Sequence, residues 1–179
     1  DLRTSRGLGD VYKRQNLEIA LAADGVKMGK GGERLYRFME EKDGYIDRAM
    51  NKVKALCEDP NGGCVFWSAG AQPPELLVAG EVVMATGWNG RFFNAEVGEN
   101  APIKQVWDGQ GLDYEYFALV KGGPDEANAK KALAMMTNTE MLAGSAKYIA
   151  YAPWRKSSLE IIKAGEPWYK DGKTEMMPQ

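Results

Sequence analysis

The side chains that could do chemistry in this chain are aromatic and acidic groups near turns, together with two cysteines. Trp88 stands in a Trp-Asn-Gly turn, and Asp113 and Glu115 stand in the segment LDYEYF. An indole ring can contact a methylene chain or a cation, and a carboxylate can pair with an ammonium group. Strand alternation predicts that Asp113 and Glu115 share one face, opposite Tyr114 and Tyr116.

Several kinds of reactive site are excluded by residue type. The chain contains no histidine, which removes Ser-His-Asp and Cys-His nucleophilic sites and nearly every zinc site that is not all-cysteine. Two cysteines are too few for a structural zinc cage. Gly29, Gly31 and Gly32 do not predict a phosphate-binding loop, because no strand precedes them. We therefore expect no catalytic residue, no metal site and no cofactor.

Cys57 and Cys64 flank the segment EDPNGG, whose Asp-Pro and Asn-Gly-Gly pieces are turn signals. Two interpretations stay open. The cysteines are either two small buried side chains between a helix and a strand, or a disulfide that closes a short loop. A disulfide would stabilise the fold by roughly 2 to 3 kcal/mol and would imply an oxidising compartment.

Hydrophobic spacing and turn residues predict the elements that must position these groups. Asn16 is placed to cap a helix that Gly25 ends. The other predicted helices cover 33–41, 45–57, a segment begun by Pro73 and Pro74, 89–96, 125–136 and 139–148. The predicted strands cover 64–67, 81–86, 103–107 and 114–120.

Strands separated by helices favour βαβ units, and hence an α/β fold with a largely parallel sheet. In such sheets, ligands bind outside the carboxyl ends of the strands. Ser68, Trp88 and the segment from Asp113 to Tyr116 fall at such ends.

The first fifteen residues are predicted to be foreign to the fold. DVYKRQ, residues 10–15, is the translation of GATGTGTATAAGAGACAG, a transposase mosaic-end sequence used in DNA library preparation. The residues before it are polar and Gly-rich without an apolar period. Residues 1–15 are therefore interpreted as an adapter-derived scar and left out of the fold prediction.

The composition is that of a soluble globular protein, with 44% hydrophobic and 27% charged residues and a formal net charge of −2. This near-neutral, slightly acidic charge does not predict binding to nucleic acid or to an anionic membrane. No run approaches the roughly 18 apolar residues that span a bilayer. The length suits one domain or two small lobes.

Three ordered segments carry a family resemblance: WSAGAQPPELLVAGEVVMATGWNGR, APIKQVWDGQGLDYEYFALVKG and KYIAYAPWRKSS. They resemble the extracellular solute-binding proteins of bacterial ABC transporters, in particular the spermidine/putrescine-binding branch. The resemblance implies a type II periplasmic-binding fold, in which two α/β lobes close on the ligand. It also implies a monomeric periplasmic protein that captures a polyamine, delivers it to a membrane permease and is not an enzyme.

The resemblance further divides the chain. Residues 16–113 are expected to form the second lobe, 114–163 to return to the first lobe, and 164–179 to re-enter the second lobe. Most of the first lobe is expected to lie outside this sequence.

The family's ligand contacts carry over to only a few positions. The Trp of the Trp-Asn-Gly turn, here Trp88, lies against the ligand's methylene stem in polyamine binders. Glu115 or Asp113 is the candidate for the acidic hinge residue that pairs with an ammonium group, and Tyr151 matches a tyrosine that lines the cleft. Ser68 and Gln72, at the turn after the first strand, could add hydrogen bonds.

Two alternatives to a polyamine binder stay open. The same fold could bind another small solute, such as an amino-acid derivative, an opine or a ferric complex. A hydrolase or transferase on an α/β scaffold would need a nucleophile and a base, and without histidine it would depend on lysine or paired carboxylates. No such group shows convincing spacing in the sequence.

Overall fold

The computed structural model describes residues 4–8, 15–26, 44–60, 62–107, 110–111, 115–162 and 166–175. They belong to two compact units, residues 1–112 and residues 113–179. The helix predicted over 33–41 and the glycines at 29, 31 and 32 lie outside the described residues.

The first unit is built on a parallel sheet of three strands in the order β2-β1-β3. The strands are β1 (Thr4–Leu8), β2 (Gly62–Phe66) and β3 (Met84–Ala85). β1 pairs in parallel with both neighbours, in a register that places residue 4 opposite 62 and residue 6 opposite 84. The parallel pairing predicted from alternating strands and helices is confirmed in this unit. The second predicted strand is shorter than expected, because only two residues after position 81 pair.

The central position of β1 was not foreseen from the sequence. Residues 1–15 were left out of the fold prediction, yet Thr4–Leu8 is the strand to which both other strands are hydrogen-bonded. A strand is held in a sheet by backbone N–H and C=O groups, which every non-proline residue carries. A segment without an apolar period can therefore pair, and the adapter origin of residues 1–15 remains a prediction.

Two helices pack together in the first unit, α1 (Gln15–Ala23) and α2 (Tyr45–Cys57). Their shared core contains Ala20, Leu21 and Ala49. The bounds of α2 agree with the prediction, whereas α1 begins one residue before the predicted cap, Asn16. Met50, an apolar residue of α2, is 52% exposed.

Two further helices follow β2 and β3 along the chain. α3 (Gln72–Val78) has its prolines in the first turn, as predicted, and both prolines are buried. α4 (Asn89–Phe93) continues into a π-helical turn, Asn94–Gly98, so the two together cover the helix predicted over 89–96.

The described part of the second unit contains three helices, α5 (Glu126–Met136), α6 (Thr139–Ser145) and α7 (Lys156–Ile161). Asp125 and Asn138 cap α5 and α6 by accepting hydrogen bonds from backbone N–H groups. The two predicted helices are thereby confirmed, although α6 ends three residues early. A small core of Ala143, Ala146 and Ile162 joins α6 to α7.

The strands predicted over 103–107 and 114–120 are wrong for the residues that the structure describes. Neither 103–107 nor 115–120 is part of a sheet, and the side chains over 115–120 are all exposed. A strand must pair with the backbone of a neighbouring strand. An alternating pattern predicts which side chains share a face, but it does not show whether such a neighbour exists.

Candidate functional site

The carboxyl ends of β2 and β3 are joined by two tryptophans. The rings of Trp67 and Trp88 meet edge to face, with centroids 5.9 Å apart. Trp67 is 2% exposed, and its Nε1 donates a hydrogen bond of 3.1 Å to the carbonyl of Thr86. The buried indole therefore fixes the segment that carries Trp88, a residue that is 36% exposed.

Trp88 lies directly against the turn that follows β2. A Cβ atom built on Gly70 would lie 2.3 Å from Cζ3 and 2.5 Å from Cε3 of the Trp88 ring. A side chain at position 70 would thus occupy the space of the indole. We call Trp67, Gly70, Thr86 and Trp88 the tryptophan edge.

The two polar residues predicted beside Trp88 act mainly on the turn itself. The Oε1 atom of Gln72 accepts hydrogen bonds of 2.8 Å from the backbone N–H groups of Ser68 and Ala69. The side-chain oxygen of Gln72 therefore stabilises the turn. Ser68 is exposed on the same turn.

The start of α1 also reaches the tryptophan edge. The hydroxyl of Thr86 donates a hydrogen bond of 3.4 Å to Oδ1 of Asn16. This contact gives Asn16 a place at the sheet edge, which its predicted role as a helix cap did not suggest.

The second unit contains a cavity of about 440 Å³. Its described lining combines an acidic residue, a threonine and four apolar or aromatic residues, of which the tyrosine also carries a hydroxyl: Glu115, Tyr116, Phe117, Leu133, Thr137 and Trp154. A volume of this size is within the range of small-molecule sites, roughly 300 to 1,000 Å³. We call it the aromatic cavity.

Sequence reasoning found only part of this lining. Glu115 was a candidate, but the predicted alternation, which put Tyr116 on the opposite face, is wrong because both residues line the cavity. Phe117, Thr137 and Trp154 were missed. Trp154 lies in KYIAYAPWRKSS, one of the three segments that carry the family resemblance, and this position could have identified it as a candidate.

The predicted site residues are divided between the two units. Trp88, Ser68 and Gln72 belong to the first, whereas Glu115 and Tyr151 belong to the second. Tyr151 is 40% exposed, and its backbone N–H donates a 2.8 Å hydrogen bond to the carbonyl of residue 149. It is not among the residues that line the aromatic cavity. Asp113 lies outside the described residues.

The two cysteines are joined. Cys57 and Cys64 form a disulfide, with their Cα atoms 4.8 Å apart. The bridge connects the last residue of α2 to the middle of β2 and closes the turn between them. Of the two interpretations left open by the sequence, the structure has the disulfide.

Among the described residues, three carboxyl groups have a pKa below the ordinary value, and each is held by its own neighbours. A hydrogen bond and charge from Arg48 lower the pKa of Asp24. Burial alone would raise the pKa of Glu96, but hydrogen bonds, chiefly from Lys104, outweigh it. Backbone and side-chain hydrogen bonds lower the pKa of Asp171. None of the three carboxyls belongs to the tryptophan edge or lines the aromatic cavity, so these shifts indicate structural roles.

Two features are absent from the part of the chain that the structure describes. No three histidine, cysteine, aspartate or glutamate side chains are grouped so that they could hold a metal ion. No described helix is long and apolar enough to cross a membrane.

Comparison with known proteins places the chain among binding proteins. The family model described as bacterial extracellular solute-binding protein matches residues 5–177. The gamma-aminobutyric acid-binding protein of Pseudomonas aeruginosa is 38% identical over 149 residues, which are 83% of this chain and 40% of that protein. The chain thus spans about 40% of the length of this relative.

Proposed function

The chain belongs to the bacterial extracellular solute-binding proteins, and from that premise we propose that it is part of the binding component of an ABC importer. It captures a small solute between two lobes of a type II fold and delivers it to a membrane permease. The family consists of binding proteins, so the expectation that the chain is not an enzyme is confirmed. A disulfide between Cys57 and Cys64 is in keeping with a periplasmic location.

The proposed ligand carries an ammonium group on a short methylene stem, and a polyamine such as putrescine or spermidine is the first candidate. The observation that carries this proposal is the exposed face of Trp88, held over Gly70 at the carboxyl ends of the strands. An indole face can contact methylene groups and attracts a nearby cation by about 0.5 to 2 kcal/mol. Glu115 supplies a carboxylate for the ammonium group.

A second candidate ligand is gamma-aminobutyric acid or a related ω-amino acid. The relative from Pseudomonas aeruginosa, which is named for binding that compound, favours it. Like putrescine, this ligand carries a primary ammonium group on a short methylene stem, but its stem is one methylene group shorter and ends in a carboxylate. Trp88 and Glu115 would serve both ligands. The protein group that contacts the opposite end of the ligand, an ammonium or a carboxylate, would discriminate between them.

The division into lobes belongs to the same proposal. Residues 16–113 form the second lobe, 114–163 the segment that returns to the first, and 164–179 the re-entry into the second. Asp113, Tyr151 and Ser68 are further candidates for ligand contact. The protein acts as a monomer, because the ligand rather than a second copy bridges the two lobes and stabilises the closed state.

Titration calorimetry on the protein expressed from its complete reading frame tests the proposal. We expect putrescine, spermidine or gamma-aminobutyric acid to bind, and Trp88→Ala to weaken that binding about two- to thirtyfold, given the usual strength of an indole contact. Tyr148→Ala is the matched control, because Tyr148 is 71% exposed and lies outside the tryptophan edge and the aromatic cavity. Binding by Trp88→Ala as tight as that of the wild type would remove Trp88 from the site.

A further inference from the structure

The aromatic cavity has a composition that suits a particular kind of cationic group. Three of its six lining residues are aromatic, Tyr116, Phe117 and Trp154, and Glu115 is the one charged side chain among the six. Aromatic rings attract a cation through their faces, and a nearby carboxylate adds an attractive charge. The lining is thus attractive to positive charge while offering mostly apolar contact.

The walls of the cavity are fixed by hydrogen bonds from outside it. Arg155, the residue after Trp154, donates a 2.8 Å hydrogen bond from Nε to the carbonyl of Thr137, which is also in the lining. Behind this contact, the Oγ atoms of Thr139 and Ser157 lie 2.8 Å apart, and the Oγ atom of the fully buried Ser158 donates to the carbonyl of Thr139 at 2.8 Å. Three polar contacts therefore join the turn between α5 and α6 to the start of α7. A site held in this way is preorganised for a ligand.

Three of the described lining residues carry an acceptor for a hydrogen bond: the Glu115 carboxylate and the hydroxyls of Tyr116 and Thr137. The hydroxyl of Thr137 donates its hydrogen to the carbonyl of Leu133 at 2.8 Å, so it can offer the ligand only an acceptor. A primary ammonium group has three N–H donors and would need all three of these acceptors around its single nitrogen. It is also only about the size of a water molecule, roughly 30 Å³, whereas the cavity measures about 440 Å³.

We infer that the aromatic cavity is a cage for an N-alkylated ammonium group, with Trp154 as the residue that selects for the alkyl substituents. Methyl groups on the nitrogen remove its hydrogen-bond donors, spread its charge and fill space against the rings. Glu115 balances the charge without a direct hydrogen bond. The inference rests on the proposed function and narrows its ligand class from primary amines to N-alkylated ones.

The test compares two matched ligand pairs by calorimetry on the protein expressed from its complete reading frame. The pairs are putrescine with its N,N,N-trimethyl derivative, and gamma-aminobutyric acid with its N,N,N-trimethyl derivative. In at least one pair, we expect the trimethylated member to bind about tenfold more tightly than the primary amine, or better. Trp154→Ala should reduce that preference to less than about threefold, while Trp154→Phe should keep part of it.

Controls separate the cage from general stability. Trp154 is 58% exposed, so its replacement leaves the packed core unchanged, and thermal unfolding followed by circular dichroism checks this. Tyr148→Ala should keep the wild-type preference, because Tyr148 does not line the cavity.

The outcomes distinguish this inference from the proposed function. If the primary amines bind as tightly as the trimethylated ligands, or more tightly, in both pairs, the cage is overturned but the proposed function stays intact. A preference for the trimethylated ligand that survives in Trp154→Ala has the same consequence. Failure of all four ligands to bind contradicts both. A preference that is lost in Trp154→Ala and kept in Tyr148→Ala supports the cage.

Discussion

The ring of Trp88 lies so close to Gly70 that a methyl group at position 70 would come within 2.3 Å of the indole. The turn after β2 and the segment after β3 therefore fit each other only if residue 70 has no side chain. The Trp88 ring also contacts the buried residue Trp67. Gly70 and Trp67 together therefore set the position of the Trp88 ring.

Gly70→Ala should displace the Trp88 ring. We expect a loss of roughly 1 to 3 kcal/mol in the free energy of unfolding, which is usual for overpacking, together with weaker binding of the ligand that the wild type binds. Denaturant unfolding and calorimetry measure the two effects. Gly144→Ala is the control, because position 144 has open space and lies in α6. It should be neutral or stabilising by about 0.5 kcal/mol. A Gly70→Ala variant that binds and unfolds like the wild type would contradict the close contact.

Removal of the disulfide should destabilise the protein. The paired change of Cys57→Ser and Cys64→Ser opens a loop with a sequence separation of 7 and should lower the free energy of unfolding by roughly 2 to 3 kcal/mol. Urea denaturation of the oxidised wild type and the double variant measures the difference. Reductant should shift the wild type toward the double variant and leave the variant unchanged. Alkylation of two thiols without reductant would rule the bridge out.

Glu96 should contribute stability that depends on pH. Burial tends to raise the pKa of its carboxyl, but hydrogen bonds from Lys104 Nζ at 2.6 Å and the Gln105 backbone N–H at 3.1 Å leave that pKa below its ordinary value. The folded state therefore favours the ionised form. Its contribution is complete above the ordinary pKa of glutamate, about 4.3, and is lost as the pH falls through the lower pKa of the folded state.

Glu96→Gln should accordingly cost more at neutral pH than in acid. We expect a loss of roughly 1 to 2 kcal/mol at pH 7 that shrinks as the pH falls below about 4. Urea denaturation at a series of pH values measures this trend. Glu81→Gln, at an exposed position, should change little at any pH. A cost for Glu96→Gln that is independent of pH would contradict the hydrogen-bonded carboxylate.

The buried hydroxyl of Ser158 should matter more than exposed hydroxyls of the same unit. Its Oγ donates to the carbonyl of Thr139 at 2.8 Å, and the residue is fully buried. Ser158→Ala leaves that carbonyl without this donor and should cost about 1 kcal/mol in thermal or urea unfolding. Ser145→Ala is matched to it, because the exposed Ser145 hydroxyl also donates to a carbonyl, at 2.9 Å. Its cost should stay within about 0.5 kcal/mol, and equal costs for the two variants would argue against the buried bond.

The sequence by itself determined the elements whose signals are local. The apolar spacing of Tyr45–Cys57 predicted α2 with its observed bounds, and the prolines at 73 and 74 predicted the first turn of α3. The helix predicted over 125–136 is α5, which begins one residue later, after its cap Asp125. Each signal depends on residues within a turn or two of one another. The ordered motifs also led to the family, which the comparison with known proteins supports independently.

Only the tertiary structure decided which distant segments meet. It placed Thr4–Leu8 in the middle of the sheet and left the alternating segment 115–120 outside any sheet, because backbone pairing depends on a partner that local pattern does not identify. It also brought Trp88 onto Gly70 and Trp154 into one lining with Glu115. Residue types indicated which side chains could bind a cation. The position of each depends on packing between residues far apart in the chain, which spacing along the sequence does not encode.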